Sequence, residues 1–92
     1  MNKRDLVDTI SEQARLTKVE AARALDAFVQ AVRRGLNEDG RVALQGFGTF
    51  SLSERKAKRI RNPHRGGTME IPARRVARFT PSHELRTAIE RF

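Results

Sequence analysis

The sequence predicts an α+β fold: a helical N-terminal hairpin plus a three-stranded antiparallel sheet with a long β-arm and a short C-terminal helix. Three observations predict it. Apolar residues recur at three- and four-residue steps over the first forty positions, the period changes to two at Arg41, and apolar residues almost vanish between Ser53 and Arg75. The chain has 92 residues and no cysteine, which is one domain's length without disulfide staples or thiolate metal sites. A chain so short buries only about 60–65% of the surface its unfolded form exposes, so a lone monomer is marginal.

Asn2 caps the first helix, with Asp5 placed to complete a capping box, and Leu6, Val7, Ile10 and Ala14 fall on one face. Thr17-x-x-Glu20 is a second capping box. Behind it Ala21, Ala22, Leu25, Phe28, Val29, Val32 and Leu36 form the stripe of a long helix that Gly40 ends. No second long helix in the chain can cover that stripe, which points to a dimer. Val42 and Leu44, then Phe50 and Leu52, alternate as strands around Gly46-Phe47-Gly48, a tight turn whose glycines are free to take positive φ. Ser53 to Arg75 reads as an extended two-stranded arm turning near Asn62–Gly67. Val76 to Phe79 returns to the body as a strand, and Thr80-Pro81-Ser82 opens a final helix with Leu85, Ala88, Ile89 and Phe92 on one face. The expected division of a single domain, 1–92, is a helical dimerisation part over 1–40, a sheet body over 41–52 and 76–82, an arm over 53–75 and a C-terminal helix over 82–92.

The charge is unevenly spread. Residues 1–40 hold seven basic and seven acidic side chains, whereas 41–92 hold twelve basic and four acidic, so the whole net charge of +8 lies in the second part. Nine cations fall between Ser53 and Arg78 against Glu54 and Glu70 alone. A neutral part joined to a concentrated cationic segment calls for a polyanionic partner; the alternative is a solvated basic surface kept for solubility.

Other chemistries find little support. Candidate nucleophiles exist (Ser11, Ser51, Ser53, Ser82), but the two histidines, His64 and His83, have no orienting carboxylate evident beside them. Gly46-Phe47-Gly48 is too short for a phosphate loop. No enzyme activity, metal or cofactor is expected. Nor is a membrane partner, since no apolar run nears the roughly 18 residues of a span and Met1–Asp5 leads into no signal-type stretch; a cytoplasmic location follows as an expectation. The five phenylalanines are expected in a core, because the basic arm contains no aromatic on which single-stranded bases would stack.

These residues resemble the bacterial histone-like HU and integration host factor family along essentially the whole chain. The likeness rests on Met1-Asn2-Lys3, Gly46-Phe47-Gly48-Thr49-Phe50, Arg61-Asn62-Pro63, and Ile71-Pro72-Ala73 returning to Val76 and Phe79. It implies an intertwined dimer, of identical chains or of two paralogues, whose β-arms embrace double-stranded DNA along its minor groove in the nucleoid. Pro63 would be the wedge between base steps; by itself it reads equally as a turn proline. The implied DNA-binding residues are Arg55, Lys58, Arg61, Asn62 and Pro63 on the arm, and Lys3, Arg86 and the Gly46, Phe47 and Gly48 backbone on the body. Arg59 and Arg65 join the candidate set as extra arm charges that, like Lys56, read equally as solvated, and Arg74 and Arg75 either bind at the arm base or pair with acidic groups of the partner chain. His83 stands where the family commonly has Lys, and a mostly neutral imidazole contributes less. Ile60 stands where a glycine commonly precedes Arg-Asn-Pro, and His64-Arg65-Gly66-Gly67-Thr68 departs from the usual run after the proline. The expected function is architectural, largely sequence-independent DNA binding and bending. A site-specific subunit resembling integration host factor, and RNA as a further ligand, are the alternatives.

Overall fold

The computed structural model describes every residue except Pro63, Arg65, Arg91 and Phe92. The chain falls into two compact units, Met1–Glu38 and Asp39–Phe92.

The first unit is the helical hairpin of α1 (Lys3–Ala14) and α2 (Lys18–Asp39). Both predicted capping boxes form. Asn2 Oδ1 accepts from the Asp5 N–H while the Asn2 N–H donates to Asp5, each at 3.0 Å. Thr17 Oγ1 likewise accepts from the Glu20 N–H at 3.1 Å and the Thr17 N–H donates to Glu20 Oε1 at 2.9 Å. Two orphan donors are thereby satisfied at each start. Arg15 ends α1 in the left-handed region at φ 54, and the Ser11 hydroxyl donates to the Leu16 carbonyl at 2.7 Å to hold the turn. Two ion pairs run from α1 to α2, Lys3–Asp26 at 2.8 Å and Asp8–Lys18 at 3.4 Å.

In the second unit β1 (Arg41–Leu44), β2 (Gly48–Arg55) and β5 (Arg74–Pro81) form an antiparallel sheet in the order β1-β2-β5, and β3 (Lys58–Arg61) pairs with β4 (Thr68–Ile71) as the arm. α3 (His83–Glu90) follows, with Ser82 Oγ accepting from the Leu85 N–H at 3.1 Å. Phe92, expected on the same helical face, lies outside the described residues.

The body strands are longer than 41–52 and 76–82. Ser53, Glu54 and Arg55 still pair with Val76, Arg75 and Arg74, and the ladder resumes in the same register with Lys58 opposite Ile71. The interruption sits where Lys56-Ala57 faces Pro72-Ala73, because Pro72 has no N–H to give a ladder. The arm thus continues the β2–β5 ribbon.

The Gly46-Phe47-Gly48 expectation needs correcting. Gly46 has φ +82, but Gly48 takes no positive φ. Glycine is required at 48 for space: a Cβ there would lie 2.6 Å from the Phe79 ring and 2.6 Å from the Thr80 carbonyl oxygen. Phe79 in turn packs against Phe50 and Phe47, with centroids 5.0 and 5.2 Å away.

Candidate nucleic-acid interface

Alternation along a strand assigns each residue to one sheet face. Val42, Phe50, Leu52, Ala77 and Phe79 share one, by the register of the two ladders. The opposite face carries Arg41, Ser51 and Arg78 in one row and Arg55 beside Arg74 at the end nearest the arm. Arg41 and Arg78 are exposed and join the face of the predicted Arg55 and Arg74. Sequence reading missed them; the signal was their strand parity, which becomes informative only once register is known.

Arg55 and Arg74 stand directly opposite one another. Like charges in that position destabilise a sheet, and among the described residues neither has an anionic partner. Lys56 and Lys58 join them around a small notch floored by Ile71 and Pro72, with no acidic side chain in its lining. The Lys58–Ile71 rung is an odd number of positions from the Arg55–Arg74 rung, so the notch is lined from both ribbon faces, and Arg55 and Arg74 are the two cations set face to face. An anion bound there would convert their mutual repulsion into charge-assisted hydrogen bonds.

At the tip, the Asn62 N–H donates to the Gly67 carbonyl and the Gly66 N–H to the Asn62 carbonyl, both at 3.1 Å, while Asn62 Oδ1 accepts from the His64 N–H at 3.0 Å. Gly66 and Gly67 take φ +67 and +79, a conformation that side chains with a Cβ rarely adopt. This double glycine closes the turn. Pro63 and Arg65, both predicted to bind DNA, lie outside the described residues.

The remaining predicted cations divide by partner. Among the described residues, Lys58, Arg61, Arg75 and Arg86 make no ion pair, whereas Lys3 is bound to Asp26 and Arg59 to Glu70, its Nε donating to Oε1 at 3.1 Å. The Arg59 charge is thus compensated within the ribbon. The Phe47 N–H, expected to be available to phosphate, donates instead to the Leu44 carbonyl at 3.0 Å, and the Phe47 carbonyl accepts from Ser82 at 2.9 Å. Two candidate nucleophiles prove to be structural, Ser11 closing the hairpin turn and Ser82 capping α3. Among the described residues, no group of three or more His, Asp or Glu gathers as a metal would need, and no helix is long and apolar enough to cross a membrane.

A helical hairpin joined to a sheet whose polar face and ribbon gather, among the described residues, arginine and lysine without ion pairs has the chemistry to bind a polyanion. The chain belongs to the bacterial DNA-binding protein family, whose model matches residues 1–90. It is 43% identical over 89 residues to DNA-binding protein HU-1 of Halalkalibacterium halodurans, covering 97% of this chain and 99% of that one. It is 41% identical over 90 residues to DNA-binding protein HU of Staphylococcus aureus, covering 98% and 100%. An Anabaena HU chain, solved in a cocrystal with DNA, superimposes with a TM-score of 0.88 at 38% identity, with both chains covered in full.

Proposed function

We propose that this chain is an architectural protein of the nucleoid, HU-like in action, that binds double-stranded DNA with little sequence preference and bends it. The observation that carries the reading is the Arg55–Arg74 juxtaposition, with Lys56 and Lys58 around the same notch. Like charges are set face to face where a phosphate would relieve them. Family membership and the HU–DNA neighbour supply the duplex as the polyanion.

The working form is a dimer of two copies. Ala21 is the one fully buried apolar side chain among the described residues, while Phe28 and Val29 on α2 stay 42% and 39% exposed. Fully burying an exposed Phe or Val is worth about 1.5–3 kcal/mol, and covering what remains exposed of Phe28 and Val29 gains a share of that, so a second copy has reason to cover the stripe; a paralogous chain with the same stripe would do so too. Each arm follows the minor groove through Lys58, Arg61 and Asn62, with Arg65 adding charge and Pro63 entering between base steps. Arg74 and Arg75 hold phosphate at the arm base, and Lys3, Arg86 and the Gly46 and Gly48 backbone hold the body to the flanking duplex. Unstacking a step costs a few kcal/mol, roughly, and the bend offsets this by bringing more phosphates to the cationic sheet face.

Gel shifts with random, nicked and RNA duplexes of equal length test the assignment. Tighter binding to nicked DNA is expected, with affinity falling by about 10³–10⁵ between 50 and 200 mM salt if six to ten phosphates are neutralised. One sequence preferred by more than about a thousandfold would instead indicate a site-specific bender, and equal binding of RNA would remove the preference for DNA. For the wedge, Pro63→Ala is expected to reduce energy transfer between labelled duplex ends more than it reduces affinity. Unchanged bending would reject it.

A further inference from the structure

The arm ribbon has two unlike faces. Strand alternation groups Lys58, Ile60, Met69 and Ile71 on one, and Arg59, Arg61, Thr68 and Glu70 on the other. The second face contains an acid where a DNA-binding ribbon has least use for one. Glu70 stands directly opposite Arg59 and accepts from its Nε at 3.1 Å, with the two side chains 73% and 72% exposed. The ribbon's other acid, Glu54, faces Arg75 across the ladder without forming an ion pair. Thus one of the two acids between Ser53 and Arg78 is committed to neutralising a particular cation.

We infer that Glu70 attenuates the arm: it withholds Arg59 from phosphate in the free protein and keeps duplex affinity below what the ribbon's cations would otherwise give. The inference rests on the reading of the arm as the duplex-binding element. A paired Arg59 releases no counterion when DNA arrives, because its charge is already compensated, so it adds nothing to the electrostatic part of binding. A phosphate that reaches Arg59 must either displace the carboxylate or sit close to it, and both oppose binding. The opposition is weak, since so exposed a pair is screened by solvent and salt. Arg59 is therefore a conditional ligand, recruited only where the duplex presses a phosphate onto this face.

Glu70→Gln keeps the shape and removes the charge. On one linear DNA duplex over a salt series, it is expected to tighten binding about three- to tenfold at low salt and to steepen the log–log salt slope by about 0.9, one further phosphate. Arg59→Gln is expected to change little by itself and to abolish the gain when added to Glu70→Gln. Glu54→Gln changes net charge equally on the same ribbon, and whatever it gains should survive Arg59→Gln. The inference is overturned if Glu70→Gln binds no tighter than the unsubstituted protein, or if its gain equals that of Glu54→Gln and persists without Arg59. Replacing 56–73 by Asn-Gly separates this from the proposed role of the arm. If that leaves affinity unchanged, the arm is not the binding element; if it weakens binding while Glu70→Gln has no effect, only the attenuation fails.

Discussion

The helical unit and the sheet-and-arm unit use the same charged residues in opposite ways. In Met1–Glu38, Lys3, Lys18 and Arg34 each meet a carboxylate, at 2.8, 3.4 and 3.0 Å. In Asp39–Phe92, among the described residues, Arg59 alone does so. Arg4, Arg15, Arg23 and Arg33 of the first unit make no ion pair among the described residues, so pairing adds to a difference that the charge balance already sets, seven basic against seven acidic over 1–40 and twelve against four over 41–92. Exposed pairs add at most about 1 kcal/mol each to stability, so their main effect in the first unit is to cancel charge. In the second unit leaving charge uncancelled costs stability, most plainly at Arg55 opposite Arg74, and that cost is recovered only on binding.

The most severe way to break this contrast is to remove the arm and leave both units otherwise intact. Arg55 and Arg74 are directly opposed, so replacing 56–73 by Asn-Gly should close a two-residue hairpin without shifting register. The salt slope is expected to drop by about 0.9 for every phosphate that is no longer neutralised, and affinity by orders of magnitude, while circular dichroism keeps the helical signal. Retained affinity and slope would mean that the open charge of the second unit is not what binds. Next in size is Gly48→Ala, which drives a methyl against the Phe79 ring and the Thr80 carbonyl oxygen, the latter being backbone that cannot swing away. Overpacking of this kind costs about 1–3 kcal/mol. Urea unfolding should show the loss, and an unchanged midpoint would contradict the packing role given to Gly48.

Local signals in the sequence were strong where local chemistry decides the structure. Asn2–Asp5 and Thr17–Glu20 announce helix starts because each box is closed by side chains three residues apart. The change of period at Arg41 and the turn over Asn62–Gly67 are equally local. Partnership across a ladder was not legible. The Arg59–Glu70 pair, the Arg55–Arg74 opposition and the shared face of Arg41 and Arg78 all depend on register, and along the ribbon register depends on where the tip turns. Gly48 shows the same limit: its glycine answers to Phe79, thirty-one positions away, rather than to its own φ. Within the expected DNA-binding set, the Arg59 guanidinium and the Phe47 N–H have partners inside the chain that sequence alone did not reveal.

The smallest effects sharpen the contrast from the helical side, at a helix cap whose charge serves structure. Thr17→Ala removes the hydroxyl that accepts from the Glu20 N–H and is expected to cost about 1 kcal/mol, read as a lower melting temperature with duplex affinity unchanged. The partner carboxylate adds a pH signature. Hydrogen bonds from Thr17, first its backbone N–H and then its side chain, hold the Glu20 carboxyl below the usual glutamate range. A group with a depressed folded pKa stabilises the fold at pH above its unfolded value, and that contribution disappears as pH falls through the folded one. Glu20→Gln can still donate and accept at the cap but cannot titrate. Its melting temperature is expected to lie slightly below that of the unsubstituted protein at neutral pH, and the two should converge as acid protonates Glu20. A gap that persisted unchanged below the glutamate range would show that the Glu20 charge is not part of the cap.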